Sequence, residues 1–128
     1  MKETTPLETA RAAGRLALEK KGFDVKILKV AELSSVCDYF VIVSGEADVH
    51  VKAIGKAIEE GLLKIGVRPY QTEGYSSGTW ILYDYIDVVV HVFIEPTRQF
   101  YALEKLWGDA PIETLTDDAS QEKNIQSQ

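Results

Sequence analysis

Apolar positions recur along this chain with two periods, one helical and one of two residues, and the switches between them outline the elements. Leu7, Ala10, Ala13 or Gly14, and Ala17 repeat at helical spacing and leave Arg11, Arg15, Glu19 and Lys20 toward solvent. Ahead of that stripe, Thr5-Pro6-Leu7-Glu8 predicts a capping box, with Thr5 at the N-cap, Pro6 at the first helical position and Glu8 reaching back. Gly22 is the expected stop. Asp24 to Val30 reads as a short strand, joined by Glu32-Leu33-Ser34-Ser35 to a segment, Asp38 to Ser44, that is apolar on both faces. That is the pattern of a central strand covered above and below.

A second helix follows, striped by Val51, Ile54, Ile58, Leu62 and Ile65, with Lys52, Lys56, Glu59 and Glu60 off the stripe and Gly66 as its stop. Val67 to Gln71 contains Pro69, which cannot donate to a ladder and so belongs at an edge or a strand start. Thr79 to Tyr85 and Asp87 to Ile94 are separated by a break too short for anything but an antiparallel hairpin. Pro96 opens a last helix with Phe100, Leu103, Leu106 and Trp107 on its apolar face and Gly108 at its end. From Asp109 onward polar residues dominate without periodicity, which predicts a mobile acidic tail over residues 109–128 behind a single domain of residues 1–108. The expected fold is an α/β (α+β) sandwich, a mixed sheet flanked by helices.

Length and charge narrow the function. A chain of 128 residues buries enough surface to fold without metal or disulfide, and Cys37, its single cysteine, reads as a small buried side chain in a reducing compartment. The N-terminus lacks the apolar core of a signal peptide and no apolar run approaches spanning length, so a cytoplasmic location away from membranes is the expectation. A net charge of -6 and a pI near 4.9 argue against direct binding to phosphate backbones. The same charge suits a basic partner, or serves solubility alone.

Several groups could carry chemistry. Ser44-Gly45-Glu46 lies between a strand and a helix, where an anion site can form, but Glu46 and Asp48 would repel an anion there and favour a plain structural turn. Asp84, Asp87 and His91 offer ligand and proton-transfer chemistry. Trp80, Leu82 and Asp84 share one face of their strand, Asp87, Val89, His91 and Phe93 one face of the next, and only the register decides whether they meet. A hydrogen bond within the sheet or a partner contact is the simpler reading of that trio. His50 reads as a surface contact, and Arg98 with Glu104 as a salt bridge. Trp80 and Tyr75, flanked by glycine turns, could be binding anchors, or Trp80 could face the core; the residues leave both open.

One set of motifs goes further. The Asp38-Tyr39-Phe40-Val41-Ile42 strand ending in Ser44-Gly45, Val51-Lys52-Ala53-Ile54, Glu73-Gly74, Trp80 to Asp84, Asp87 to Phe93, Arg98, Tyr101 and Leu103-Glu104-Lys105-Leu106-Trp107 stand in the order and spacing of the ribosomal silencing factor family, also called Iojap-related. The chain resembles that family from about Pro6 to Asp109, departing at Ile86, where glycine is usual, and at Glu46-Ala47. The resemblance implies a domain related to the nucleotidyltransferase fold but without transferase activity, needing no cofactor or metal. It implies a translational repressor that binds the large ribosomal subunit at ribosomal protein L-fourteen and blocks joining of the small subunit when nutrients are scarce. Family members can also pair as homodimers. It assigns the partner contact to Trp80 and, with it, Leu82, Asp84 and His91. The rival class is a residual metal-dependent nucleotidyltransferase working through Asp84, Asp87 and His91.

Overall fold

The structure, a computed structural model, describes residues 4–116. Its elements run α1 (Pro6–Glu19), β1 (Phe23–Lys29), β2 (Tyr39–Gly45), α2 (Asp48–Lys64), β3 (Gln71–Glu73), β4 (Trp80–Asp84), β5 (Val88–Ile94), α3 (Glu95–Tyr101), α4 (Leu103–Leu106) and β6 (Ile112–Leu115). The strands form one mixed sheet in the order β3-β4-β5-β2-β1-β6, with β2 and β5 parallel at its centre and the other pairs antiparallel. It is an α+β fold.

Local signals explain most of these boundaries. The capping box forms as expected: the Glu8 amide donates to the Thr5 hydroxyl at 3.1 Å, and the Thr5 amide donates to the Glu8 carboxylate at 3.0 Å. At the other end Lys21, with φ 68, takes the left-handed position, while the Lys21 and Gly22 amides donate to the carbonyls of Leu18 and Ala17. Gly22 is therefore the residue after the turn, not the turn itself. In α2 the buried stripe is Val51, Ile54, Ile58 and Leu62; Ile65, expected on it, lies past the helix end and is exposed. Pro69 precedes the edge strand β3, where a missing donor costs nothing.

Both sheet faces carry a core. Helices α1 and α2 cover one face, over Val25, Ile27, Val41, Val43, Ile81, Tyr83, Val88, Val90 and Val92. Leu16 of α1 sits against Gly61 of α2 so closely that any larger side chain at Gly61 would overlap it. The second face gathers Leu28, Val30, Cys37, Ile42, Phe93 and Ala110, joined by Phe40, Trp80, Val89, Leu103 and Trp107. Cover there is thinner, because it comes from the short α3 and α4.

Two expectations are corrected. The last helix is not continuous: Ala102, with φ 49, breaks it into α3 and α4, so Phe100 and Leu106 project into solvent instead of completing an apolar stripe. The tail does not begin at Asp109, because Ile112–Leu115 pairs antiparallel with β1 as an edge strand, Leu115 packs on the first core, and Arg11 binds Glu113 through two bonds of 2.9 Å. Residues 117–128 of the expected tail lie outside the described residues. The strand expected over Asp24 to Val30 forms as β1, with its pairing to β2 interrupted between Phe23 and Lys26 and Asp24 at φ 50.

The hairpin break at Ile86, where the chain departs from the usual glycine, is a γ-turn. The Asp87 amide donates to the Tyr85 carbonyl at 2.9 Å, Ile86 adopts φ 75, and its own amide donates to Asp84 Oδ1 at 2.7 Å. A β-branched residue is strained at that φ, and Ile86 is exposed, so little packing offsets the strain. Ile86→Gly is expected to raise stability by about 1 kcal/mol in urea unfolding. A lower midpoint would mean that Ile86 packs more strongly than its exposure indicates.

Candidate functional site

Register settles which residues of the hairpin meet. β4 pairs with β5 so that Trp80 lies opposite Phe93, Leu82 opposite His91 and Asp84 opposite Val89. Directly opposed residues of an antiparallel pair share a face, so Trp80, Leu82, Asp84, His91 and Phe93 all lie on the second face of the sheet. Asp87 is left outside this set, at the turn.

Trp80 is half-buried on this face, at the start of β4. Its indole stacks on Phe93 with ring centroids 4.9 Å apart and contacts Tyr101 of α3 at 4.6 Å. Its Nε1–H donates to His91 Nδ1 at 3.1 Å. Phe40 meets the His91 ring edge-on at 5.0 Å, and Trp107 in turn packs edge-on against Phe40 at 5.5 Å. Outward from Trp80 the aromatic chain continues through Tyr101 to Phe100, which is 79% exposed. A cavity of about 190 Å³ opens beside the indole between Glu73, Gly74, Trp80 and Leu82. Gly74, at φ 84, closes its rim so tightly that a β-carbon there would overlap the Trp80 carbonyl.

His91 is only 5% exposed, and burial pushes its imidazole down to about 4. It is therefore neutral at physiological pH. The family resemblance gives His91 a share of the partner contact; in the structure it lies beneath Trp80 and leaves little surface of its own for one. Tyr75 is separated as well, since Lys52 Nζ of α2 lies 5.8 Å from its ring centroid, placing it on the helix-covered side, away from Trp80. Trp80, Leu82 and Asp84 remain together at the partly open face. The sequence places Phe100 on an apolar helix face and Tyr101 only among the family motifs; in the structure both lie at the end of α3, Tyr101 against Trp80 and Phe100 exposed beside it.

The other candidates are occupied structurally. Asp84 caps the Ile86 amide, and among the described residues no group of three or more His, Cys, Asp or Glu side chains converges as a metal site requires. At Ser44-Gly45-Glu46 the amide of Glu46 donates to His50 Nδ1 at 2.9 Å, while His50 Nε2 lies 2.8 Å from the Lys20 carbonyl. With Nδ1 accepting, Nε2 carries the proton and His50 ties the end of α1 to the start of α2. The Cys37 thiol is buried and pushed up to about 11 by burial, then by Asp38, Asp84 and Asp87, which disfavours the thiolate.

Arg98 and Glu104 do form a salt bridge, and more. Nη2 and Nε reach the two Glu104 oxygens at 2.7 and 3.3 Å, while Nη1 donates to the Asp24 carbonyl and the Ser44 hydroxyl, both at 2.7 Å. Burial alone would push the Glu104 carboxyl up, but the hydrogen bonds and charge of Arg98 outweigh it and hold it below its ordinary value. One side chain thus fastens the irregular start of β1, the end of β2 and α4.

Fold and site together describe an α+β domain with a half-buried aromatic cluster on one sheet face. The family model described as ribosomal silencing factor during starvation matches residues 3–128. Ribosomal silencing factor RsfS of Bacillus subtilis is 41% identical over 97 residues, 76% of this chain and 82% of that protein. The chloroplastic Iojap protein of Arabidopsis thaliana is 32% identical over 111 residues, 86% of this chain but 46% of its own length. A crystal structure of a Chromobacterium violaceum protein superposes with a TM-score of 0.79 at 30% identity, covering 90% of this chain and 96% of that one. The chain belongs to the ribosomal silencing factor family, Iojap-related. It is a non-enzymatic regulator of translation, and membership implies binding to the large ribosomal subunit.

Proposed function

We propose that the Trp80 face docks on ribosomal protein L-fourteen of the large subunit and that the bulk of the bound domain excludes the small subunit. The observation carrying this reading is the state of Trp80: half-buried, fixed by Phe93, Tyr101 and His91, and bordered by Leu82 and the exposed Phe100. A rigid aromatic anchor beside a small cavity gives large contact area at low entropic cost. Glu73 adds a carboxylate beside the indole and Asp84 a second one further along the same strand face, which suit a basic partner. Steric blockade needs no chemistry.

Trp80→Ala is expected to weaken binding to purified L-fourteen by about thirtyfold, roughly 2 kcal/mol, with an unchanged far-ultraviolet circular dichroism spectrum. The same variant should fail to hold ribosomal subunits apart in a sedimentation assay. A folded Trp80→Ala protein that binds L-fourteen as tightly as the parent would overturn the assignment.

A further inference from the structure

We propose that His91 is a positioning residue: by accepting the indole Nε1–H of Trp80 on Nδ1, it selects the ring orientation that Trp80 presents to its partner. The inference rests on the docking reading above and adds a residue that never touches the partner. The geometry is a diagonal pair across β4 and β5, Trp80 lying opposite Phe93 and reaching back to His91, with a donor–acceptor distance of 3.1 Å.

The reason for an imidazole here lies in what it costs. With Nδ1 accepting, the proton sits on Nε2, and that buried N–H has no hydrogen-bond partner among the described residues. An unpaired buried donor is destabilising, and a phenylalanine in the same aromatic surround would carry no such penalty. His91 is enclosed by Phe40 at 5.0 Å, Phe93 at 5.9 Å and Trp80 at 5.9 Å, all of which a phenyl ring could also meet. What only the imidazole supplies is an acceptor for the indole. Stacking on Phe93 and contact with Tyr101 hold the ring in place but do not distinguish its two edges. The hydrogen bond does, and an anchor oriented beforehand loses less freedom on docking.

The test uses the full chain with nitrogen-15 labelled indoles, the two tryptophan signals being assigned with Trp107→Phe. In His91→Phe the Trp80 indole N–H should exchange with solvent about tenfold faster, and affinity for purified bacterial large subunits should fall about fivefold, the scale of one lost hydrogen bond. His91→Asn, whose Oδ1 can stand in for Nδ1, should bring both readouts back to within about twofold of the parent. Where the larger phenyl ring prevents folding, His91→Leu makes the same comparison without an acceptor. Unchanged indole exchange in the variants lacking an acceptor, or a His91→Asn protein as impaired as they are, would sink the proposal. If Trp80→Ala binds large subunits normally, the docking reading fails by itself, and the indole exchange rates still decide whether His91 orients the ring.

Discussion

Replacing Arg98 with alanine is expected to remove about 3 to 4 kcal/mol of stability, read as a drop in the urea midpoint at unchanged slope. The guanidinium is 5% exposed and makes four bonds to three separate segments. Its removal strands the Ser44 hydroxyl, which is fully buried, and the Asp24 carbonyl, and leaves the Glu104 carboxylate without its counter-charge. Glu104 keeps 29% of its side chain exposed and can recover some hydration, which holds the expected cost toward the lower end of the range for a broken buried pair. Arg98→Lys keeps the charge but not the planar fork, so it should recover only part of the loss. A change under about 1 kcal/mol for Arg98→Ala would mean that water replaces these bonds freely. The effect should reach the docking face as well, because Arg98 anchors the α3–α4 segment that carries Tyr101.

Acid should destabilise the protein through His91. In the folded state burial lowers this imidazole from 6.5 to about 4, so below pH 6.5 the unfolded chain binds a proton that the folded chain refuses. Stability is complete above the unfolded value, falls as the pH drops through the window from 6.5 to about 4, and levels off once both states are protonated. The slope approaches about 1.4 kcal/mol per pH unit and the total loss about 3 kcal/mol. Carboxylates also titrate near the lower end, so the quantity to compare is the difference between the parent and His91→Phe across that window. Parallel pH profiles for the two proteins would show that His91 is not held neutral by the fold. Docking is affected only as the pH falls to about 4, where Nδ1 in the folded protein gains its proton and can no longer accept the indole N–H.

Much of the fold was legible because its determinants are local. The capping box, the buried stripe of α2, the stop at Gly66 and the proline beside an edge strand depend on residues within a few positions of one another. The family was legible for a related reason, since the Asp87 to Phe93 strand and the Leu103 to Trp107 segment are contiguous motifs, and the family match extends over them. Ile86 also announced an unusual turn by standing where glycine is common.

Other features are non-local and escaped the sequence. Ile112–Leu115 carries little strand signal of its own and becomes β6 because β1 has an open edge for it to pair with and α1 supplies Arg11 for Glu113. The break at Ala102 follows from a left-handed residue that ordinary helix propensity does not anticipate, and it separates Phe100 from the Leu103 to Trp107 segment. By itself, then, the sequence determined the family, the first two helices, the hairpin and the identity of Trp80 as a candidate anchor, since each rests on short-range pattern. Tertiary structure decided that Trp80 and His91 are bonded, that Tyr75 lies on the other side and that Arg98 joins three elements. Register and packing across distant segments create those contacts, and no local period encodes them.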